Sequence, residues 1–311
     1  MVSYVLRTGE KGNSSPETRK RISDAVQKLG YRTDFAARVL RTGKSRSIGV
    51  VLPRINQGYL HNLMVELEVS FREYGYVLFY TFFELNYDDF SEALARMTAM
   101  NVEAVITPGF AEEIPDIQVP LVIWGNKRDG HDCVFPDKAG FGADVISRLN
   151  EFGHRKIAIA GILKDIRYQA MKERLEALGI AGDAVFFNCK VSDAGAVSVI
   201  REIAEMKARP TAVVFHSDEM AISGISEAHR LGIKVPQELS VVGYDNLVLG
   251  TSVVPMLTTY DPCYKEMADR LAEITIRRLE HYDEPIQQIA VDIKFVERKS
   301  LFNINLKENV L

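Results

Sequence analysis

The chain has 311 residues, 47% hydrophobic and 26% charged, with a formal net charge of −4. This is globular composition with enough apolar surface for more than one core, and it excludes a disordered or low-complexity chain. No apolar run approaches a membrane span and no apolar signal core follows the basic N-terminus, so a cytoplasmic protein is expected.

Charge is unevenly placed. The first 47 residues hold eleven Lys and Arg against four acids, a net of +7, which leaves −11 for the remainder. A basic arm on an acidic body suits contact with a polyanion, although a solvated charged helix has the same composition. Within the arm, Val2, Val5 and Leu6 make a short amphipathic stretch ending near Gly9 and Gly12. Ser14-Ser15-Pro16-Glu17 then opens a helix: a Ser cap, Pro in the first turn and an acid at the positive dipole end. Ile22, Ala25, Val26 and Leu29 form its apolar face, and Gly30 ends it. Residues 35–40 form a second short helical patch, followed by Thr42-Gly43-Lys44-Ser45.

From Ser47 the pattern changes to short apolar runs alternating with helical periods. Strands are expected at 48–52, 76–80, 104–106, 121–124, 157–160, 184–187, 212–215 and 240–243, and helices at 60–74, 90–100, 142–152, 167–178, 194–206 and 219–231. Strand–helix alternation predicts two parallel α/β layers with right-handed crossovers and a ligand cleft at the carboxyl ends of their strands. Cys133, Cys189 and Cys263 are odd in number and widely spaced, which points to reduced thiols and away from a disulfide or metal framework.

Several motifs, in order, resemble the lactose/galactose repressor family. They are Pro16-Glu17-Thr18-Arg19, Leu29-Gly30-Tyr31, Ala36-Ala37-Arg38-Val39-Leu40-Arg41-Thr42-Gly43-Lys44-Ser45, Val235-Pro236, Gly243-Tyr244-Asp245-Asn246, Leu257-Thr258-Thr259 and Val296-Glu297-Arg298-Lys299-Ser300. Val2-Ser3-Tyr4-Val5-Leu6 is similar to the family's recognition-helix stretch. The resemblance implies a partial helix-turn-helix head and hinge helix over 1–46, then an effector-binding body of two Rossmann-like, periplasmic-binding-protein-like subdomains over 47–300. Their expected bounds are about 47–136 plus 262–283 and about 137–260 plus 286–300, with 301–311 as a tail. Operator DNA, a carbohydrate effector and a second copy of the chain are the implied partners, with no cofactor and no metal.

Ser3, Tyr4, Arg19, Arg38, Leu40 and Arg41 are the implied DNA contacts. Leu40 is an apolar side chain on a short basic helix, suited to wedge between minor-groove base steps while Arg38, Arg41, Lys44 and Arg46 neutralise phosphates. Packing of Leu40 on the body is the plainer alternative. The head departs from the family pattern at Met1, which stands where the recognition helix has already begun. A start codon assigned downstream of the true one is expected over a truncated paralogue, because the third helix and hinge remain dressed for DNA.

In the body, the resemblance makes Arg167 and Asp245 effector contacts. A surface ion pair for Arg167 and a turn or cap role for Asp245 are the plainer readings. Ser217-Asp218 resembles the family's Asn-Asp, and Asp137 its polar position before a helix. Asn56 and Tyr59 stand where the family places a polar contact and an aromatic, but Gln57-Gly58-Tyr59-Leu60 replaces the usual Asn-Pro-Phe-Phe. Trp124, the single Trp, could stack on a sugar ring or fill the subdomain interface. An enzyme is not expected: there is no phosphate loop, no Gly-x-Ser-x-Gly and no His-Glu-x-x-His, and Gly140-Phe141-Gly142 lacks the third glycine of a dinucleotide fingerprint. Of the scattered histidines, His154 resembles a structural motif before a strand and His216 lies near the cleft without an evident nucleophile or acid. A sugar-binding module without DNA function is the competing reading.

Overall fold

A computed structural model describes residues 15–28, 43–55, 58–109 and 113–306. The implied contacts Ser3, Tyr4, Arg38, Leu40, Arg41 and Asn56 lie outside the described residues, as do the amphipathic stretch at 2–6 and the patch at 35–40. Helix α1 (Pro16–Lys28) begins where expected, with the Ser15 hydroxyl accepting the Thr18 N–H at 3.2 Å. Its backbone includes Arg19, whose side chain lies outside the description.

The body follows the expected order through β1 (Ser47–Pro53), α2 (Gly58–Glu73), β2 (Val77–Phe83), α3 (Tyr87–Ala99), β3 (Ala104–Pro108) and β4 (Leu121–Trp124), and adds a strand not expected from the sequence, β5 (Asp132–Pro136). A second series follows: α4 (Lys138–Glu151), β6 (Ile157–Gly161), α5 (Ile166–Ala177), β7 (Val185–Asn188), α6 (Asp193–Glu205), β8 (Ala212–Phe215), α7 (Asp218–Arg230) and β9 (Ser240–Val242). The chain ends through β10 (Thr259–Asp261), α8 (Tyr264–Glu280), β11 (Gln288–Val291) and β12 (Lys294–Val296). Two parallel sheets result, one in the order β11-β5-β4-β3-β1-β2 and one in the order β7-β6-β8-β9.

Helices cover both faces of each sheet, which is why the central strands read as unbroken apolar runs. Every residue of β1 is buried. Ile48, Val50 and Leu52 pack with Leu63, Leu67 and Phe71 of α2 and Met267 and Leu271 of α8, while Val51 turns to Phe90, Leu94 and Met97 of α3. In the second sheet Ile157 and Ile159 face α4 and α5, and Ala158 and Ala160 face α6 and α7. The period-2 alternation of a strand thus feeds two separate apolar layers.

Two boundaries correct the sequence expectation. Residues 288–291 form β11, which pairs in parallel with β5, so this stretch of the expected 286–300 segment belongs to the first subdomain. The chain then returns through β12, which pairs antiparallel with β10. The expected tail also packs: Leu301 is buried, Ile304 N–H donates to Phe152 O at 2.8 Å, and a 3-10 turn spans Ile304–Leu306. His154 fixes this return, its Nδ1 meeting Thr211 Oγ1 at 2.9 Å and its Nε2 meeting Phe302 O at 3.0 Å. Burial pushes its imidazole down to about 4, so it is neutral near pH 7.

The helix expected from Gly142 starts at Lys138, because Asp137 Oδ1 caps it by accepting Gly140 N–H at 2.9 Å. Gly142 itself sets the approach of α4 to α5. A Cβ there would lie 2.5 Å from Arg167 O and 2.8 Å from Ala170 Cβ. Helix propensity favours Gly→Ala by about 1 kcal/mol, whereas overpacking costs about 1–3 kcal/mol. Because the obstacle includes backbone, overpacking wins, and Gly142→Ala should lower the urea midpoint. An unchanged or raised midpoint would show that α4 and α5 part at no cost.

Candidate functional site

The two sheets present the carboxyl ends of their strands to a common cleft, and the chain passes between subdomains near 137, 262 and 292. The first subdomain contributes an aromatic wall. Tyr59 in the first turn of α2 meets Trp124, the last residue of β4, edge-on at 6.2 Å between ring centroids. Tyr59 also lies nearly parallel to Tyr264, the first residue of α8, at 6.5 Å and 12°. Trp124 is only 4% exposed, and its indole N–H has no hydrogen-bond partner among the described residues. The equally buried Tyr244 hydroxyl is in the same condition. Buried donors without partners are costly and uncommon, so two on one cleft lining mark a place suited to a polar ligand.

The second subdomain contributes a charged cluster centred on Arg167, which enters from the first turn of α5. Its Nε and Nη2 donate to Asp165 Oδ1 and Oδ2 at 3.0 and 2.8 Å. Nη1 donates to His216 O at 3.1 Å, and Nη2 meets His216 Nε2 at 2.6 Å. The guanidinium carbon stands 4.9 Å from the Tyr244 ring centroid, a cation–π position. Burial alone would raise the Asp165 carboxyl, but the hydrogen bonds and charge of Arg167 outweigh it and hold the group well below the usual carboxylate range. Burial, and then the Arg167 charge, push His216 down to about 3, so its ring is neutral and accepts from Arg167. Lys138 donates to Asn126 Oδ1 at 2.7 Å, and enclosure followed by the Arg167 charge lowers its amine to about 8.

Asp245 follows β9 in a strained backbone conformation, φ 123°, and Asn246 continues at φ 50°. Its Oδ1 accepts the Tyr264 hydroxyl from the other subdomain at 3.1 Å. Burial, then the neighbouring Asp218, raise the Asp245 carboxyl well above its ordinary value. Asp218 has both oxygens engaged inside its own subdomain, Oδ2 by Leu247 N–H at 2.7 Å and Oδ1 by Thr259 Oγ1 at 2.5 Å. Burial raises it to about 6 against those hydrogen bonds. Ser217 is the N-cap of α7, accepting Met220 N–H at 3.4 Å.

The expected site residues therefore divide. Tyr59, Trp124, Arg167 and Asp245 meet around the cleft, whereas Asp137 Oδ1, Ser217 Oγ and both Asp218 oxygens serve caps and a clamp. Asp165, Lys138, Tyr244, Tyr264 and Glu219, whose Oε1 accepts the Gly58 N–H across the cleft, join the site although sequence reasoning did not select them. Only Asp165, two residues before Arg167 at a helix start, and Tyr244, inside Gly-Tyr-Asp-Asn, left a local trace. Among the described residues no group of three His, Cys, Asp or Glu is placed to hold a metal ion, and no helix is long and apolar enough to cross a membrane.

Comparison with known proteins agrees with this geometry. Residues 146–301 match the family described as periplasmic binding protein-like domain. The transcriptional repressor PurR of Serratia proteamaculans is 28% identical over 301 residues, covering 92% of this chain and 88% of that protein. The lac repressor dimer solved with operator and an anti-inducer superposes with a TM-score of 0.81 at 18% identity, over 97% of this chain and 94% of that one. A transcriptional regulator from Enterococcus faecium solved with bound ribose gives 0.75 at 21% identity, over 83% and 99%.

Proposed function

We propose that this chain, which belongs to the periplasmic binding protein-like family and within it to the lactose/galactose repressors, is a ligand-responsive transcriptional repressor whose cleft takes an uncharged sugar. One observation carries the ligand class: the Arg167–Asp165–His216 cluster and Asp245 stand opposite the aromatic wall of Tyr59, Trp124 and Tyr264. Aromatic faces stack on the apolar faces of a sugar ring, and fixed donors and acceptors read its hydroxyls. The charge of Arg167 is already matched by Asp165, and enclosure lowers the neighbouring Lys138 amine to about 8, so the cleft favours a neutral ligand over a phosphate or carboxylate. Binding rather than turnover is the chemistry assigned to the cleft.

The basic N-terminal segment is the DNA-contacting part of this reading, and the protein acts in the cytoplasm. Exposed apolar residues on both subdomains provide the surface for a second copy: Val65, Val69 and Phe82 on the first, and Val248, Leu249, Val254 and Met256 on the second.

A melting-temperature screen with neutral monosaccharides and their phosphates tests the ligand class, since a ligand bound only by the folded state must raise stability. A neutral sugar should raise the melting temperature and its phosphate should not. Titrating that sugar with and without operator DNA then tests repression, because coupling is reciprocal: each partner must change the affinity of the other by the same factor. Sugar affinity indifferent to operator would leave a sugar-binding module in place of a repressor.

A further inference from the structure

Glu219 and Gly58 lie 161 positions apart, on opposite subdomains, yet Glu219 Oε1 accepts the Gly58 N–H at 2.6 Å. Gly58 is the first residue of α2, and that helix has no acid of its own in the first turn. The Glu219 carboxylate therefore supplies the anion at the positive end of α2, in a charge-assisted hydrogen bond. A Cβ at 58 would meet Leu247 Cδ1 at 3.1 Å and Glu219 Oε1 at 3.3 Å, so glycine is what lets the two subdomains come this close. The next residue, Tyr59, is the one packed between Trp124 and Tyr264. The Tyr264 hydroxyl makes a further bond across the cleft, to the strained Asp245.

We propose that Glu219 is a positioning residue of the cleft: by accepting the Gly58 N–H it holds the subdomains closed and seats Tyr59 against Trp124 before any ligand enters. The latch belongs to this chain's departure from Asn-Pro-Phe-Phe, because a proline at 58 has no N–H to give. A ligand then meets a cleft that is already shaped, and less of its binding energy goes into closure. This inference goes beyond the repressor reading and does not depend on it, since it concerns the free protein.

Trp124, the only Trp in the chain, reports closure directly. Acrylamide quenching of its fluorescence is compared in the ligand-free wild type, Glu219→Ala, Glu219→Gln and Gly58→Pro. Proline suits the first position of a helix, so Gly58→Pro should fold, and circular dichroism checks this for every variant. Removing one hydrogen bond to a charged acceptor should move the closed-to-open ratio about tenfold toward open. Quenching should therefore rise in Glu219→Ala and in Gly58→Pro, and rise less in Glu219→Gln, which keeps an acceptor oxygen. The double variant Gly58→Pro/Glu219→Ala should be no more open than Gly58→Pro alone, whose ring also crowds Leu247, because Glu219 then has no bond left to lose. Unchanged quenching in the two single variants, or additive opening in the double, would overturn the latch.

Discussion

Arg167→Ala should give a protein that no longer responds to ligand and is about 3–5 kcal/mol less stable, the usual cost of removing one partner of a buried ion pair. The arginine and Asp165 side chains are 7% and 17% exposed, so solvent does little to relieve the carboxylate left behind. The same change leaves the His216 carbonyl and ring without their donor and uncovers the Tyr244 face. Urea unfolding measures the first effect, and the melting shift with whichever sugar stabilises the wild type measures the second. Asp165→Ala/Arg167→Ala should be less damaging than the sum of its parts, since the double removes both charges together. Arg167→Lys should not rescue binding, because a point charge cannot donate in a planar fork to both Asp165 oxygens. Wild-type stability in Arg167→Ala would mean that the buried pair contributes nothing.

The part of this cluster that could be read in the chain was the part written locally. Arg167 stands at a helix start two residues after Asp165, and Asp245 sits in Gly-Tyr-Asp-Asn after a strand. What could not be read is their partnership with residues brought in by the fold: His216 lies 49 positions from Arg167, and Tyr264 lies 19 positions from Asp245 in the other subdomain. The same division holds for the fold. Strands buried on both faces, such as β1 and β3, announce themselves as apolar runs. β5 opens on Asp132, a buried acid held by Arg278 of α8 at 2.7 Å and by the Gln287 N–H at 2.8 Å. Helix α8 begins after Cys263 in a left-handed conformation with no side-chain cap, so it offers no start signal. β10 and β12 have three residues each and exist as strands only by pairing with one another. β11 has the mixed exposure of an edge strand, so its pairing with β5 leaves no long apolar run in the sequence.

Asp218 carries the second large effect, and it is one of pH. Its carboxyl is raised from 3.8 to about 6 by burial, so the folded state prefers it protonated. For a group raised in the folded state, the contribution to stability is complete below the unfolded value and is lost as pH rises through the folded one. Between about pH 4 and pH 6, ionisation of Asp218 should therefore cost about 3 kcal/mol, the free-energy equivalent of the shift. Asp218→Asn removes that titration while preserving the clamp: the amide oxygen can accept Leu247 N–H, and the amide nitrogen can donate to Thr259 Oγ1. It also removes the charge that helps to raise Asp245, which flattens the profile in the same direction. Urea midpoints should show Asp218→Asn level with the wild type or below it near pH 4, and gaining on it steadily toward pH 7. Parallel profiles for the two proteins would place the Asp218 titration elsewhere. Asp218→Leu, which abandons both bonds, should be less stable than the wild type at every pH, because Leu247 N–H and the Thr259 hydroxyl would be left buried and unpaired. The contrast between the two variants separates the cost of the charge from the value of the clamp. The clamp also bears on the cleft, since the Leu247 that Asp218 holds is the side chain lying against Gly58 in the opposite subdomain.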